Sequence, residues 1–326
     1  MNLHILCYDI EIMTSALLIW VIVFIASMAL LIKSSDWLLD SSEKIGLRAG
    51  MSPFLVGITI VAFGTSFPEL VSSFFAIFNN ASEIVASNVI GSNIANILLV
   101  VGVAALVGKK LTVTKNLIDL DLPLIALSTT LFVIFAWSGT INLIESIILL
   151  VGYAIYLVSA LMIRDEDENE FEQVTKPEVT KKDIVLLVVG IIGLAIGAKY
   201  LIDSITNLSA ILNIGQGVIA LTAVAVGTSL PELLVSVKAA LQGKAEVALG
   251  NIFGSNVFNV FVVIGLPGLF KELPIDEPTL LIAMPFLVVS SLLFIFSGIS
   301  RRIHIQEGAL YLLIYIVFIG KLFQLF

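Results

Sequence analysis

Long apolar runs separated by short polar stretches organise this chain. The runs, each bounded by charged or turn-forming residues, fall at roughly 13–33, 53–79, 82–107, 122–137, 141–163, 183–202, 216–241, 245–270, 279–297 and 307–325. A membrane-crossing helix takes about 20 apolar residues, so the pattern predicts ten transmembrane helices. With the N-terminus placed outside, the cytoplasmic loops hold Lys33, Lys44, Arg48, Lys109, Lys110, Lys115, Arg164, Lys176, Lys181, Lys182, Lys238, Lys244, Arg301 and Arg302, which is 14 of the 17 basic residues. Only Lys199, Lys271 and Lys321 fall on the other side. Basic residues concentrate in cytoplasmic loops. The asymmetry therefore predicts an integral protein of the plasma (inner cell) membrane with both termini outside the cytoplasm. The stretch Met1 to Glu11 is acidic and the run after it is long enough to span, so that run is expected to be retained as the first helix rather than cleaved as a signal peptide.

The runs are not independent of one another. Positions 56–73, VGITIVAFGTSFPELVSS, align without gaps to 219–236, IALTAVAVGTSLPELLVS, at an offset of 163 with 10 identities in 18. The same offset lays Asn88 to Asn96 (NVIGSNIAN) over Asn251 to Asn259 (NIFGSNVFN), and Leu38, Asp40 and Ser41 over Leu201, Asp203 and Ser204. Glu69 to Asn96 and Glu232 to Asn259 are both 27 residues apart. A register kept that long divides the chain into two related halves, 13–163 (motif 56–96) and 183–325 (motif 219–259), joined by a segment at 164–182. Five spans per half force the second half to enter the membrane inverted, an architecture common among secondary transporters.

Composition narrows the class. Of 326 residues 59% are hydrophobic and 13% charged, against about 45–50% and 25% in soluble domains; the mean hydropathy is +1.09. The formal charge of -8 argues against a nucleic-acid partner. One cysteine, Cys7, cannot form an internal disulfide, and His4 and His304 cannot build a His-rich metal site. No bound cofactor and no obligate protein partner is expected; the surroundings are the lipid bilayer. The acidic joining segment, with its run Asp165-Glu166-Asp167-Glu168-Asn169-Glu170, reads as a solvated cytoplasmic linker. A regulatory calcium site is its alternative, but the segment lacks an EF-hand pattern.

Within the spans ionisable residues almost vanish, except for Glu69 and Glu232 at matching positions of the repeat. A charge at mid-bilayer costs about 2.5–3.5 kcal/mol even on lenient scales, so two such residues point to function rather than to helix packing. Pro68 and Pro231 cannot donate to the carbonyls of Gly64 and Gly227 and disfavour helical geometry at Phe67 and Leu230, so broken helices at the midplane are expected. Beside each break stand Thr65 and Ser66, or Thr228 and Ser229. The next span adds Ser92, Asn93 and Asn96, or Ser255, Asn256 and Asn259. Hydroxyl, amide, carbonyl and carboxylate oxygens without thiol or imidazole suit hard cations such as Ca2+ or Na+. Gly64, Gly91, Gly227 and Gly254 read at least as well as helix-packing positions.

At these residues the chain resembles the sodium/calcium exchanger branch of the calcium/cation antiporter superfamily: the two G-T-S-x-P-E motifs, Gly64 to Glu69 and Gly227 to Glu232, each followed by G-S-N-x-x-N, look like that family's paired alpha-repeats. The resemblance covers nearly the whole chain. It implies an all-α membrane protein of ten transmembrane helices in two inverted five-helix repeats. It also implies Ca2+ ligation by Glu69 and Glu232, and sodium sites from Thr65, Ser66, Ser92 and the Ala62 carbonyl on one side and Thr228, Ser229, Ser255 and the Ala225 carbonyl on the other. Asn96 and Asn259 would complete the middle. Some relatives carry Asp at the place of Asn259, and the amide here counts against potassium coupling. The implied activity is antiport of Ca2+ against Na+ by alternating access. Exchange of Ca2+ for H+ is the nearest alternative, and a passive calcium channel is the alternative of a different class. An enzyme is not expected: no H-E-x-x-H motif is present and no histidine lies within a span to act as base.

Overall fold

The computed structural model describes residues 3–112, 121–162, 177–211 and 229–325, with side chains from residue 16 onward except at 161, 162 and 209. Ten helices lie within these residues: α1 (Leu3–Arg48), α2 (Pro53–Phe78), α3 (Glu83–Gly108), α4 (Asp121–Ala136), α5 (Leu143–Met162), α6 (Lys181–Ile211), α7 (Leu230–Leu241), α8 (Ala245–Gly268), α9 (Thr279–Ser300) and α10 (Ile305–Leu322). Eight of them are long and apolar enough to cross a membrane. The shorter α4 is apolar, and α7 begins where the description resumes after 212–228. Most of the acidic linker lies outside the described residues.

Two helices exceed their expected lengths. The first apolar run ends near Lys33, but α1 continues helical to Arg48, leaving a turn of only four residues, Ala49–Ser52, with Gly50 at φ 79°. The continuation is polar yet keeps a helical stripe of buried positions: Leu31, then Ser34 and Ser35, Leu38 and Leu39, and Ser41 and Ser42. Spacings of three and four place these on one face. That face meets α6, which likewise runs on from its expected end near 202 to Ile211. The pair is antiparallel, Gly190 lying against Ser34 and Leu38 and Gly197 against Leu31. A Cβ at Gly190 would stand 2.9 Å from the Leu38 backbone nitrogen, so the backbones touch only because that side chain is missing.

The packing is organised by the repeat. Helices α2, α3, α7 and α8 form the centre, and α8 is buried without interruption from Val247 to Gly265. Helix α5 packs on α8 of the other half, and its counterpart α10 packs on α3; α4 and α9 pack on each other, as α1 and α6 do. Two short antiparallel ladders, absent from the all-α expectation, follow the same rule. Strand β1 (Lys110–Thr112), after α3, pairs with β4 (Arg302–His304), before α10, with Leu111 opposite Ile303. Strand β2 (Thr140–Ile141), before α5, pairs with β3 (Leu273–Pro274), after α8. Each ladder joins two turns that an alternating ten-span path places on the same side. The polar bridges do likewise, Lys44 to Asp183 at one end and Lys271 to Asn80 at the other, each at 2.9 Å.

Candidate cation site

The site is assembled where α2 crosses α8 and α3 crosses α7. The first crossing is close: a Cβ at Gly57 would stand 2.6 Å from the Val247 carbonyl oxygen, and one at Gly250 would stand 2.5 Å from that of Phe54. With the backbones in contact, side chains one or two turns further along meet across the repeats. Thr65, Ser66 and Glu69 on α2, Ser92, Asn93 and Asn96 on α3, Ser229 just before α7, Glu232 on α7, and Ser255, Asn256 and Asn259 on α8 are all buried. Ala62 on α2 is buried with them. Thr228 and Ala225 lie outside the described residues.

Local backbone differs in detail from expectation. Helix α2 stays helical through Pro68, so Phe67 does not leave the helix; the proline removes one amide donor, that of the bond to the Gly64 carbonyl. Burial of both flanks against neighbouring helices holds the geometry. In the second half Ser229 stands outside the helix at φ -93°, ψ 11°, and Pro231 falls at the start of α7, where its missing amide costs nothing. Glu232 sits in that first turn, where a helix N-terminus favours negative charge. Among the described residues widened π-type turns occur at Gly57–Val61 in α2, Asn96–Val100 in α3, Asn259–Ile264 in α8 and Thr279–Ala283 in α9. Two of the four begin at the paired asparagines Asn96 and Asn259. Such turns re-aim side chains and gather at functional sites, and the sequence pattern carried no sign of them.

The hydrogen bonds cross between the halves. Ser66 donates to Glu232 Oε1 at 2.8 Å, and Ser255 Oγ lies 3.5 Å from the same oxygen. Thr65 Oγ1 lies 3.0 Å from Asn251 Oδ1, 3.3 Å from the Ala62 carbonyl and 3.4 Å from Ser255 Oγ. Asn259 donates to Asn93 Oδ1 at 3.0 Å, and Asn93 donates to the Asn256 carbonyl at 3.1 Å. Asn251, fully buried, was not among the expected site residues. Its place in the repeat was visible, but its partner depends on how closely the helices cross.

The remaining oxygens define what the site can do. Among the described residues, both carboxylate oxygens of Glu69, Oε2 of Glu232, the side-chain oxygens of Asn96 and Asn259 and the hydroxyl of Ser229 are buried without a hydrogen-bond partner. Leaving one buried polar atom unsatisfied costs about 1–3 kcal/mol, and more for a charged one. Glu69 lies within electrostatic reach of Glu232. A cation received between the two helix pairs would satisfy these atoms together. Among the described residues no group of three or more His, Cys, Asp or Glu is placed to hold a metal ion.

Known proteins match along nearly the whole chain. The family model described as "Sodium/calcium exchanger protein" matches twice, at residues 19–162 and 182–324. The sodium/calcium exchanger MaX1 of Methanosarcina acetivorans is 34% identical over 93% of this chain and 98% of its own. An uncharacterized membrane protein of Methanocaldococcus jannaschii is 34% identical over 92% of this chain and 96% of its own. The solved structure of a sodium/calcium exchanger from Methanococcus jannaschii superposes with a TM-score of 0.81 at 32% identity, covering 93% of this chain and 98% of that one.

Proposed function

Because the chain belongs to the sodium/calcium exchanger family, we propose that it is a secondary antiporter exchanging Ca2+ for Na+ across a membrane by alternating access. The observation that carries this reading is the pair of buried carboxylates, Glu69 and Glu232, one from each half, three of whose four oxygens have no hydrogen-bond partner among the described residues. Two carboxylates supply the charge that one Ca2+ neutralises. Asn96 and Asn259 complete its coordination with their amide oxygens. Thr65, Ser66, Ser92 and the Ala62 carbonyl hold sodium on one side, and Thr228, Ser229, Ser255 and the Ala225 carbonyl hold it on the other.

Antiport follows from shared ligands. Sodium ions that engage Glu69 and Glu232 remove the charge that Ca2+ needs, so the two cargoes exclude each other. Crossing with no ion leaves charged oxygens buried and unpaired, which penalises slippage. In the reading that fits, the halves 13–163 and 183–325 form the inverted repeats, 164–182 is a cytoplasmic linker, both termini lie outside the cytoplasm, and the protein resides in the plasma (inner cell) membrane. The long α1–α6 pair moves across the central four helices.

The test is Ca2+ uptake into sealed proteoliposomes under an imposed sodium gradient or an imposed pH gradient. Sodium-driven uptake that persists with the pH gradient collapsed is the expected result. Uptake driven by pH and indifferent to sodium overturns the sodium coupling in favour of protons. Dissipation of a calcium gradient without any counter-ion makes the protein a channel.

A further inference from the structure

We infer that Asn251, held by Ser236, is a positioning residue that turns the Thr65 hydroxyl so that its oxygen faces sodium; the inference rests on the sodium coupling proposed above. A hydroxyl binds a cation through its oxygen lone pairs, so its single proton must be directed elsewhere. Thr65 has three acceptors within 3.5 Å, Asn251 Oδ1 at 3.0 Å, the Ala62 carbonyl at 3.3 Å and Ser255 Oγ at 3.4 Å, and its hydroxyl also interacts with the Glu232 carboxylate, itself a proposed cation ligand. The choice among them has consequences. Ala62 and Ser255 are themselves proposed sodium ligands, and a proton sent to either occupies a lone pair that the ion needs. Asn251 Oδ1 is the nearest of the three, and taking the proton there leaves all three ligand oxygens free.

Asn251 must present its oxygen, not its amide NH2, for this to work. Its other end is consistent with this: Nδ2 donates to Ser236 Oγ at 2.9 Å, which anchors the amide. A serine hydroxyl can serve either end, so the orientation is selected by the Thr65 proton, which only Oδ1 can accept. Asn251 and Ser236 are both fully buried, so neither trades its partner for water. The relay spans three helices, from Ser236 on α7 through Asn251 on α8 to Thr65 on α2. A reversed amide would donate to Thr65, occupy its lone pair and send its proton to Ala62 or Ser255. The repeat carries the same three residue types at Thr228, Asn88 and Ser73, each displaced by 163 from its mate, but the Ser73 hydroxyl is buried without a hydrogen-bond partner among the described residues, so the Ser–Asn link is a feature of the second half.

The experiment uses the full chain in proteoliposomes with two readouts: the sodium concentration giving half-maximal Ca2+ release, and radiolabelled Ca2+ exchange against unlabelled Ca2+ with no sodium present. Asn251→Leu is expected to raise the half-activating sodium concentration on the order of tenfold, the equivalent of one lost hydrogen-bonded ligand arrangement, and to leave calcium–calcium exchange within about twofold. Asn251→Asp keeps an acceptor at the same place and is expected to restore sodium activation. Ser236→Ala removes the group that anchors the amide and is expected to shift sodium activation partway. If Asn251→Leu loses both readouts together, or fails to fold, Ser236→Ala and Asn251→Asp decide. Sodium activation unchanged in Ser236→Ala, or as poor in Asn251→Asp as in Asn251→Leu, overturns the assignment. A wild-type protein that exchanges calcium for calcium but ignores sodium refutes the coupling itself, a result distinct from failure of the relay.

Discussion

Glu69 and Glu232 occupy equivalent positions in the repeat but not equivalent surroundings. Glu232 shares one oxygen with Ser66 and Ser255, whereas neither oxygen of Glu69 has a partner among the described residues. Glu69→Gln and Glu232→Gln should each reduce calcium exchange to background in reconstituted vesicles. Their stabilities should part: without Ca2+, Glu69→Gln removes a fully unpaired buried charge and should melt higher than wild type, and Glu232→Gln should gain less. Added Ca2+ should stabilise the wild type by about 2.7 kcal/mol at one hundred times its dissociation constant and neither variant appreciably, read as thermal midpoints in detergent. The two glutamates were legible in the sequence because charge inside an apolar span is costly. The hydroxyls were legible only through their duplication beside them. Asn251 was not singled out, because an asparagine in a repeated motif does not reveal which helix it faces.

At the scale of elements, apolar runs located every described helix but misjudged three ends, both of α1 and the last of α6. Hydropathy falls at Lys33, yet α1 continues, because the stripe from Ser34 to Ser42 is packed against α6 rather than selected for apolarity. Serines bury well in a tight helix pair, and a hydropathy window counts them as loop. The widened turns at Asn96 and Asn259 escaped for a related reason: they add hydrogen-bond length without changing composition. The central crossing depends on glycine. Gly250→Ala would put a methyl group 2.5 Å from the Phe54 carbonyl oxygen, so α2 and α8 must separate. The expected cost is about 1–3 kcal/mol. It should appear as a lower thermal midpoint together with weaker apparent affinity for sodium, since Thr65 loses its reach to α8.

In the whole molecule the bridges divide into those within the α1–α6 pair and those joining it to the centre. Lys44 to Asp183 lies within the pair; Lys238 to Asp36 and Lys244 to Glu43 tie α1 to α7 and to the start of α8. If the pair moves as a unit, only the second kind breaks during transport. Exposed ion pairs contribute about 0.2–1 kcal/mol each, so the double change Lys238→Met and Lys244→Met should shift the ratio of apparent calcium affinities on the two faces of oriented vesicles by about two- to thirtyfold. Lys44→Met should not. The inverted halves themselves were legible, because an odd number of spans per repeat admits no other path; the ladders that tie their turns were too short to leave a pattern. Helix α1, at 46 residues, is about 69 Å long, more than twice the roughly 30 Å hydrocarbon layer it crosses. Only its apolar run, 13–33, has to match that layer, and at about 30 Å it does so, so lipid that is thinner or thicker creates a mismatch that the helix meets by tilting. Changing acyl-chain length in the vesicles should therefore change turnover while leaving calcium affinity at the buried carboxylates unaltered, making the membrane itself a regulator of how fast the ions change places.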